Sequence, residues 1–309
     1  MGVLRSAYDT NGADYAGRRF SATLDPVKPR DIALGLLVAV VWGLNFVVID
    51  VGLHGVPPLL FAAIRFALVG LLVFVVPRPQ ASFARVVLVG LFMSAGQFGF
   101  LYAALAQGMN PGLASLVLQA QVPVTILVAA LALAERPSVR QLAGVALAVV
   151  GLGIVAIGRD VYTSMTGLIL VLVAASSWAV GNVVARGVPS AGLSLVAWGS
   201  VVVPIPLLLA SLVLEGTASW HSAAAGWGWT QTASTAFTVL MSTMLGYGIW
   251  NSLLARHRAA EVVPFALLVP AVGVISAWGF QGLLPSWGEF IGGSVLIAGA
   301  AIAVLSSSR

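Results

Sequence analysis

Of the fifteen lysines and arginines in this 309-residue chain, one, Arg65, stands well inside an apolar run; the others fall between such runs or at the chain ends. A guanidinium at the centre of a lipid-crossing helix costs about 2.5–3.5 kcal/mol on insertion scales, so an intramembrane arginine reads as functional by default. Either Arg65 faces a wet cavity and meets a carboxylate, or it binds helix-end carbonyls and snorkels to an interface. Uncharged polar and aromatic residues recur around it at helical spacing. Trp42 and Asn45 share one face of their run, and Gln97 and Tyr102 stand together on another. Ser115–Gln119 and Gln121–Thr125 form neighbouring stripes; Trp178, Asn182 and Arg186 recur every four residues, as do Thr243, Tyr247 and Asn251, with Trp250 alongside. Lipid is a poor host for amides, so these side chains face protein or water, as interhelical hydrogen bonds or as the lining of a solute path. Pro123 and Pro270, in mid-run, are expected to kink their helices and free carbonyls, or to serve packing alone.

Other chemistry is excluded by what is missing. The chain has no cysteine, which removes disulfides, thiol catalysis and Cys-based metal sites. His54, His221 and His257 lie far apart and outside the apolar runs, so no histidine metal cluster and no Ser–His pairing is expected. Asp50, Glu135, Glu215, Glu261 and Glu289 all fall at or near run ends and read as hydrated end charges. That argues against a built-in proton relay, leaving downhill movement or coupling through Asp50 or Glu289 open. No cofactor and no metal is expected. The scattered loop arginines argue against a nucleic-acid partner.

The elements that must position these residues follow from composition. Hydrophobic residues make up 60% of the chain and charged residues 8%, with a mean hydropathy of +1.02. A soluble domain carries about 25% charged residues, so this chain must be solvated by lipid. Residues 1–31 are polar, lack the apolar stretch of a signal peptide, and read as a disordered cytoplasmic tail. Ten apolar runs follow, near 32–49, 57–76, 86–106, 112–134, 142–157, 166–185, 193–214, 232–255, 262–283 and 287–306; each approaches the ~20 residues of a spanning helix. The expected fold is therefore an all-α integral membrane protein of ten transmembrane helices. With the N-terminus inside, thirteen Lys and Arg fall in inside segments and only Arg159 outside, which puts both termini in the cytoplasm. The outer connection 215–231 holds Trp220, Trp227 and Trp229, which suit an interfacial aromatic belt.

The chain also repeats itself. A shift of 148 positions lays Met93-Ser94 on Met241-Ser242, Pro137-Ser138 on Pro285-Ser286, and Gly144 and Gly151 on Gly292 and Gly299. A second echo sets Leu36, Ala39, Trp42, Val47 and Val48 on Leu172, Ala175, Trp178, Val183 and Val184. Two five-span units, 32–158 and 166–307, would then be inverted relative to one another. Such inverted-topology repeats recur in secondary transporters, with the substrate site near the midplane between halves.

The runs WGLNFVVI at 42–49, PPLLFAAIRFALV at 57–69, GLASLVLQAQ at 112–121, ER at 135–136, QLAG at 141–144, GYGIW at 246–250 and LLVPAVG at 267–273 resemble the drug/metabolite transporter superfamily. They look most like its EamA-type branch, and within it exporters of cysteine and O-acetylserine. The resemblance covers residues 32–306 and implies a multi-pass bacterial inner-membrane exporter of amino acids and related metabolites. Trp42, Asn45, Arg65, Glu135, Gly144 and Gly292 are the positions that match the family's motifs. Where the second repeat of such proteins carries a Glu matching Glu135, this chain has Leu283. On that reading a zwitterion is bound in a central cavity and moved by alternating access. Arg65 or a helix N-terminus meets its carboxylate, and amides, hydroxyls and the faces of Trp42, Trp178, Tyr247 or Trp250 meet its ammonium. The alternative is a carrier of a phosphorylated sugar, nucleotide sugar or toxic compound, for which one intramembrane arginine is thin support. The partners expected are the small solute and lipid, with the chain acting as a monomer.

Overall fold

The computed structural model describes residues 28–160, 163–186, 188, 192–257 and 259–305. The expected disordered tail falls almost wholly on residues outside that set. Among the described residues there are helices and turns and no strand. In chain order the helices are α1 (Pro29–Gly52), α2 (Pro58–Gly70, continued by a tighter turn Leu71–Phe74), α3 (Phe83–Ala106), α4 (Pro111–Leu133), α5 (Val139–Gly158) and α6 (Met165–Ala185). Then come α7 (Gly192–Ser200), α8 (Pro204–Leu214), α9 (Thr217–Gly226), α10 (229–256), α11 (Ala259–Ala266), α12 (Val269–Gln281) and α13 (Trp287–Leu305).

The starts of these helices are written locally. Proline occupies the first turn of α1, α2, α4 and α8, where its missing N–H is one of the unpaired donors anyway. Asn110 caps α4, Ser164 caps α6, and Ser138 with Gln141 forms a reciprocal capping box on α5. Seven continuous helical stretches are long and apolar enough to cross a membrane: α1, α3, α4, α5, α6, α13 and the stretch Pro264–Gln281. An eighth is reached if α7 and α8, bent by 47°, are one span; Pro58–Phe74 is a shorter apolar helix. The chain is thus an all-helical, multi-pass membrane protein.

Two local expectations are corrected. The run 193–214 is broken between Ser200 and Pro204, because proline can neither donate to the preceding turn nor share its space. The connection 215–231 contains α9, and two of its three tryptophans turn toward protein. Trp220 donates to the Ser211 hydroxyl at 2.8 Å, and Trp227 packs edge-on to Phe61 at 5.9 Å. Trp229, 82% exposed, keeps a place that suits the belt.

Contacts between helices give their directions. α1 runs parallel to α11 and α12: Gly35 lies on Phe265 of α11, Gly43 on Val272 of α12, and Gln281 donates to Asp50 at 2.6 Å. α4 runs opposite to α12, with Gly112 against Val274 and Ala277, and the Ser115 side chain against Gly273. Further along, Gln119 Nε2 reaches the Ala266 carbonyl at 3.4 Å. That carbonyl lies four residues before Pro270, so it is the acceptor the ring leaves without a backbone donor. Gln119→Leu is therefore expected to leave that half-buried carbonyl unpaired and, for a contact this long, to cost about 1 kcal/mol at most. The check is a lower melting temperature in detergent, and an unchanged one would remove this role.

The tightest seam joins α5 to α13. A Cβ placed on Gly144 would lie 2.6 Å from the Gly299 carbonyl oxygen, and one on Gly151 would lie 2.4 Å from the Leu296 nitrogen and 2.7 Å from the Gly292 oxygen. Gly158 meets Gly288 in the same way. The helices are antiparallel and packed backbone to backbone, which only glycine permits.

Ion pairs link helices at one end of the bundle. Asp31 at the start of α1 binds Arg256 at 2.9 Å and the His257 ring at 2.8 Å, and Glu135 after α4 pairs with Arg186 after α6. At the opposite end carboxylates cap backbone N–H groups. Glu215 accepts from the backbone N–H groups of Leu59 and Leu60 at the start of α2. Glu289, expected as a hydrated end charge, is instead 1% exposed and accepts from Thr163, Asp160 N–H and Ser286 N–H. A carboxylate so supplied with donors needs no water.

Candidate functional site

The face of α2 that carries Phe61, Arg65 and Phe66 is buried, and Arg65 is 2% exposed. One guanidinium nitrogen donates to the Tyr102 hydroxyl on α3 at 3.3 Å, the other to the Thr243 hydroxyl on α10 at 3.4 Å. Both lie beyond the usual range for hydrogen bonds, and Nε has no partner. Among the described residues no carboxylate lies within ion-pair reach of it. The guanidinium instead lies over the Phe98 ring at 4.1 Å, with the Phe66 ring at 5.1 Å. Aromatic faces offset part of the cost of burying a cation, but they do not replace a counter-ion. What this arrangement can do chemically is accept an anion.

Beside Arg65 is an aromatic group from two helices. The Trp42 ring on α1 lies 5.3 Å from those of both Tyr247 and Trp250 on α10, and all three are half-buried. The Trp42 indole donates to the Ser242 carbonyl at 3.0 Å. That carbonyl lies in Phe237–Tyr247, a wide π-helical stretch of α10. α3 has a matching stretch, Gly90–Gly96, where the Phe92 carbonyl accepts from Ser177 at 2.8 Å. The two stretches contain the two copies of Met-Ser. π-Helical turns cluster at functional positions.

The remaining candidates divide. Asn182 donates to Gln121 at 3.2 Å, linking α6 to α4, and Trp178 packs against the core cluster. Gln119 serves the Ala266 carbonyl as above. Gln97 is buried where α3 returns from its π-helical stretch, and Asn45 is buried with its oxygen unpartnered. Asn251 sits against Gly192 with its nitrogen unpartnered. The stripe Thr243–Tyr247–Asn251 is accordingly split: Thr243 meets Arg65, Tyr247 meets Trp42, and Asn251 faces α7. Pro123 is buried in α4 beyond a tighter turn at Leu118–Ala120, and Pro270 lies just after a break at 267–268 inside the stretch Pro264–Gln281. Phe66 and Phe98 carry no polar atom to mark them in the sequence, though Phe98 precedes Tyr102 by four residues and so shares its face. A separate apolar cavity of about 360 Å³, lined by Leu60, Ile64, Trp220, Ala223, Ala224 and Trp227, opens between α2 and α9. Among the described residues no cluster of three His, Asp or Glu could hold a metal.

The EamA-like transporter family matches residues 30–157 and again residues 165–305. A "Probable amino-acid metabolite efflux pump" of Salmonella typhimurium is 42% identical over 283 residues, 89% of this chain and 95% of that protein. One of the same name in Escherichia coli K12 is 44% identical over 257 residues, covering 80% and 86%. A "Probable terminal-alkyne amino-acid exporter" of Streptantibioticus cattleyicolor is 29% identical, covering 85% and 90%. A solved crystal structure superposes with a TM-score of 0.58 at 20% identity over 91% of this chain and 97% of its own, a likeness of fold. The chain belongs to the EamA-like transporter family, as its motifs implied.

Proposed function

We infer that this member of the EamA-like transporter family exports amino acids or closely related metabolites, binding them between two inverted five-helix halves. The observation that carries the reading is Arg65, a buried cation with two long hydrogen bonds to hydroxyls and, among the described residues, no carboxylate of its own. A substrate carboxylate supplies the missing counter-ion, and the half-buried faces of Trp42, Tyr247 and Trp250 receive the ammonium or an apolar side chain. The names of the two relatives above 40% identity point the same way. A phosphorylated solute would need more than one buried cation.

Ten crossings in two units, 32–158 and 166–307, are supported by the double family match. They are also supported by the antiparallel pairing of α5 with α13, in which Gly144 meets Gly299 and Gly151 meets Gly292. A shift of 148 positions turns one of those pairs into the other. The arginine-rich end that holds Asp31 and Glu135 is cytoplasmic, the membrane is the bacterial inner membrane, and the solute is moved by alternating access. The carrier works as a monomer.

Counterflow of tritiated threonine, methionine and phenylalanine into proteoliposomes tests the substrate class, and no uptake of any amino acid would end the proposal. The chain lacks cysteine, so single cysteines at Arg140 and Ser222 report sidedness directly; labelling of both from one side would refute the topology.

A further inference from the structure

Among the described residues Arg65 is tied to the second half of the chain by one hydrogen bond, to Thr243; its bond to Tyr102 stays within the first half. Thr243 is 1% exposed, and its hydroxyl donates its only proton to the carbonyl of Thr238, five residues back, at 2.8 Å. That spacing belongs to the wide turns of Phe237–Tyr247. With its proton committed, the oxygen can meet the guanidinium only as an acceptor. The π-helical stretch therefore fixes a buried acceptor against a buried cation across the boundary between halves. One residue earlier, the Ser242 carbonyl takes the Trp42 indole proton, so the same stretch is also tied to α1.

A carboxylate arriving at Arg65 outcompetes a neutral hydroxyl at 3.4 Å, since it brings a full opposite charge and can accept two N–H bonds from the guanidinium fork. We propose that Thr243 is the positioning residue that couples occupancy of Arg65 to the second half. In the empty carrier it holds Arg65 across the boundary, and substrate carboxylate releases that hold. This rests on the reading of Arg65 as the carboxylate site. The consequence is that the empty carrier reorients slowly and the loaded one does not, so exchange outruns net efflux.

Thr243→Val keeps the shape and removes both hydrogen bonds. Net efflux of the best-transported amino acid among threonine, methionine and phenylalanine is measured beside its exchange in proteoliposomes, and its binding to purified protein beside both. Net efflux is expected to rise about tenfold relative to exchange, the equivalent of one weak bond to a charged group. Binding is expected to be tighter by up to the same factor, because substrate no longer displaces a partner. Thr243→Ser is expected to restore both values. The proposal is overturned if Thr243→Val binds more weakly, as loss of a plain substrate contact would give, or if net efflux and exchange fall together. It is equally overturned if the ratio does not move, or if Thr243→Ser behaves as Thr243→Val does. Retained transport in Arg65→Gln would instead sink the reading beneath it, whatever Thr243→Val does.

Discussion

Arg65→Gln is expected to abolish amino-acid counterflow while leaving the protein at least as stable as before. Those two outcomes together separate substrate binding from interhelical glue. A buried charge without a counter-ion is a net cost to the fold, so its removal should raise the melting temperature or leave it unchanged. Loss of a charge-assisted contact to a buried carboxylate is worth about 2–5 kcal/mol, or about thirty-fold to several thousand-fold in apparent affinity. Arg65→Lys should fall between, since it keeps the charge but loses the planar fork and its stacking on Phe98 at 4.1 Å. The measurements are counterflow in proteoliposomes and thermal unfolding in detergent. A variant that is both destabilised and active would show that Arg65 serves the fold and not the solute.

Gly151→Val is expected to prevent the bundle from assembling. The new Cβ would sit 2.4 Å from the Leu296 nitrogen and 2.7 Å from the Gly292 oxygen. Both are backbone atoms, so no side chain can swing aside, and α5 and α13 must separate along their length. Overpacking costs about 1–3 kcal/mol where neighbours relax; here relaxation means parting a helix pair, so the loss should exceed that range. The readout is the monodisperse yield after solubilisation. At Gly153, two residues away, a methyl group would meet nothing within 4 Å, and Gly153→Ala is expected to keep full yield. Equal yields from the two variants would mean that the seam does not hold the bundle together.

Much of this was legible in the chain. Pro29, Pro58, Pro111 and Ser138 mark helix starts because an unpaired N–H at a helix end is a local problem with a local solution. Arg65 stood out because no other basic residue lies deep in an apolar run, and its burial needed no knowledge of partners. The partners themselves were another matter. Thr243 and Tyr247 look like one stripe at a spacing of four, but the wide turns of Phe237–Tyr247 change the angle per residue and send them to different neighbours. Nothing in the composition of that stretch announces the change. Phe98 offers no polar atom to single it out, whereas a guanidinium is also held by ring faces. Glu289 misleads for the converse reason. Ser286, three residues before it, is a local capping partner, but its other two donors, Thr163 and the N–H of Asp160, come from a segment that only folding brings near. Gln119 belongs with them: the carbonyl it serves lies 147 residues further along.

The pairing of Gly144 with Gly299 and of Gly151 with Gly292 has a bearing on ancestry. Two identical chains related by a twofold axis make contacts of this reciprocal kind, residue i on j and j on i. On the two-repeat proposal, a five-helix ancestor able to insert in either sense would already have owned this interface as a homodimer. Tandem duplication of its gene then needed no new surface, only a short tether between α5 and α6. The halves expressed as separate polypeptides should accordingly still find each other, and failure to co-purify would count against that descent.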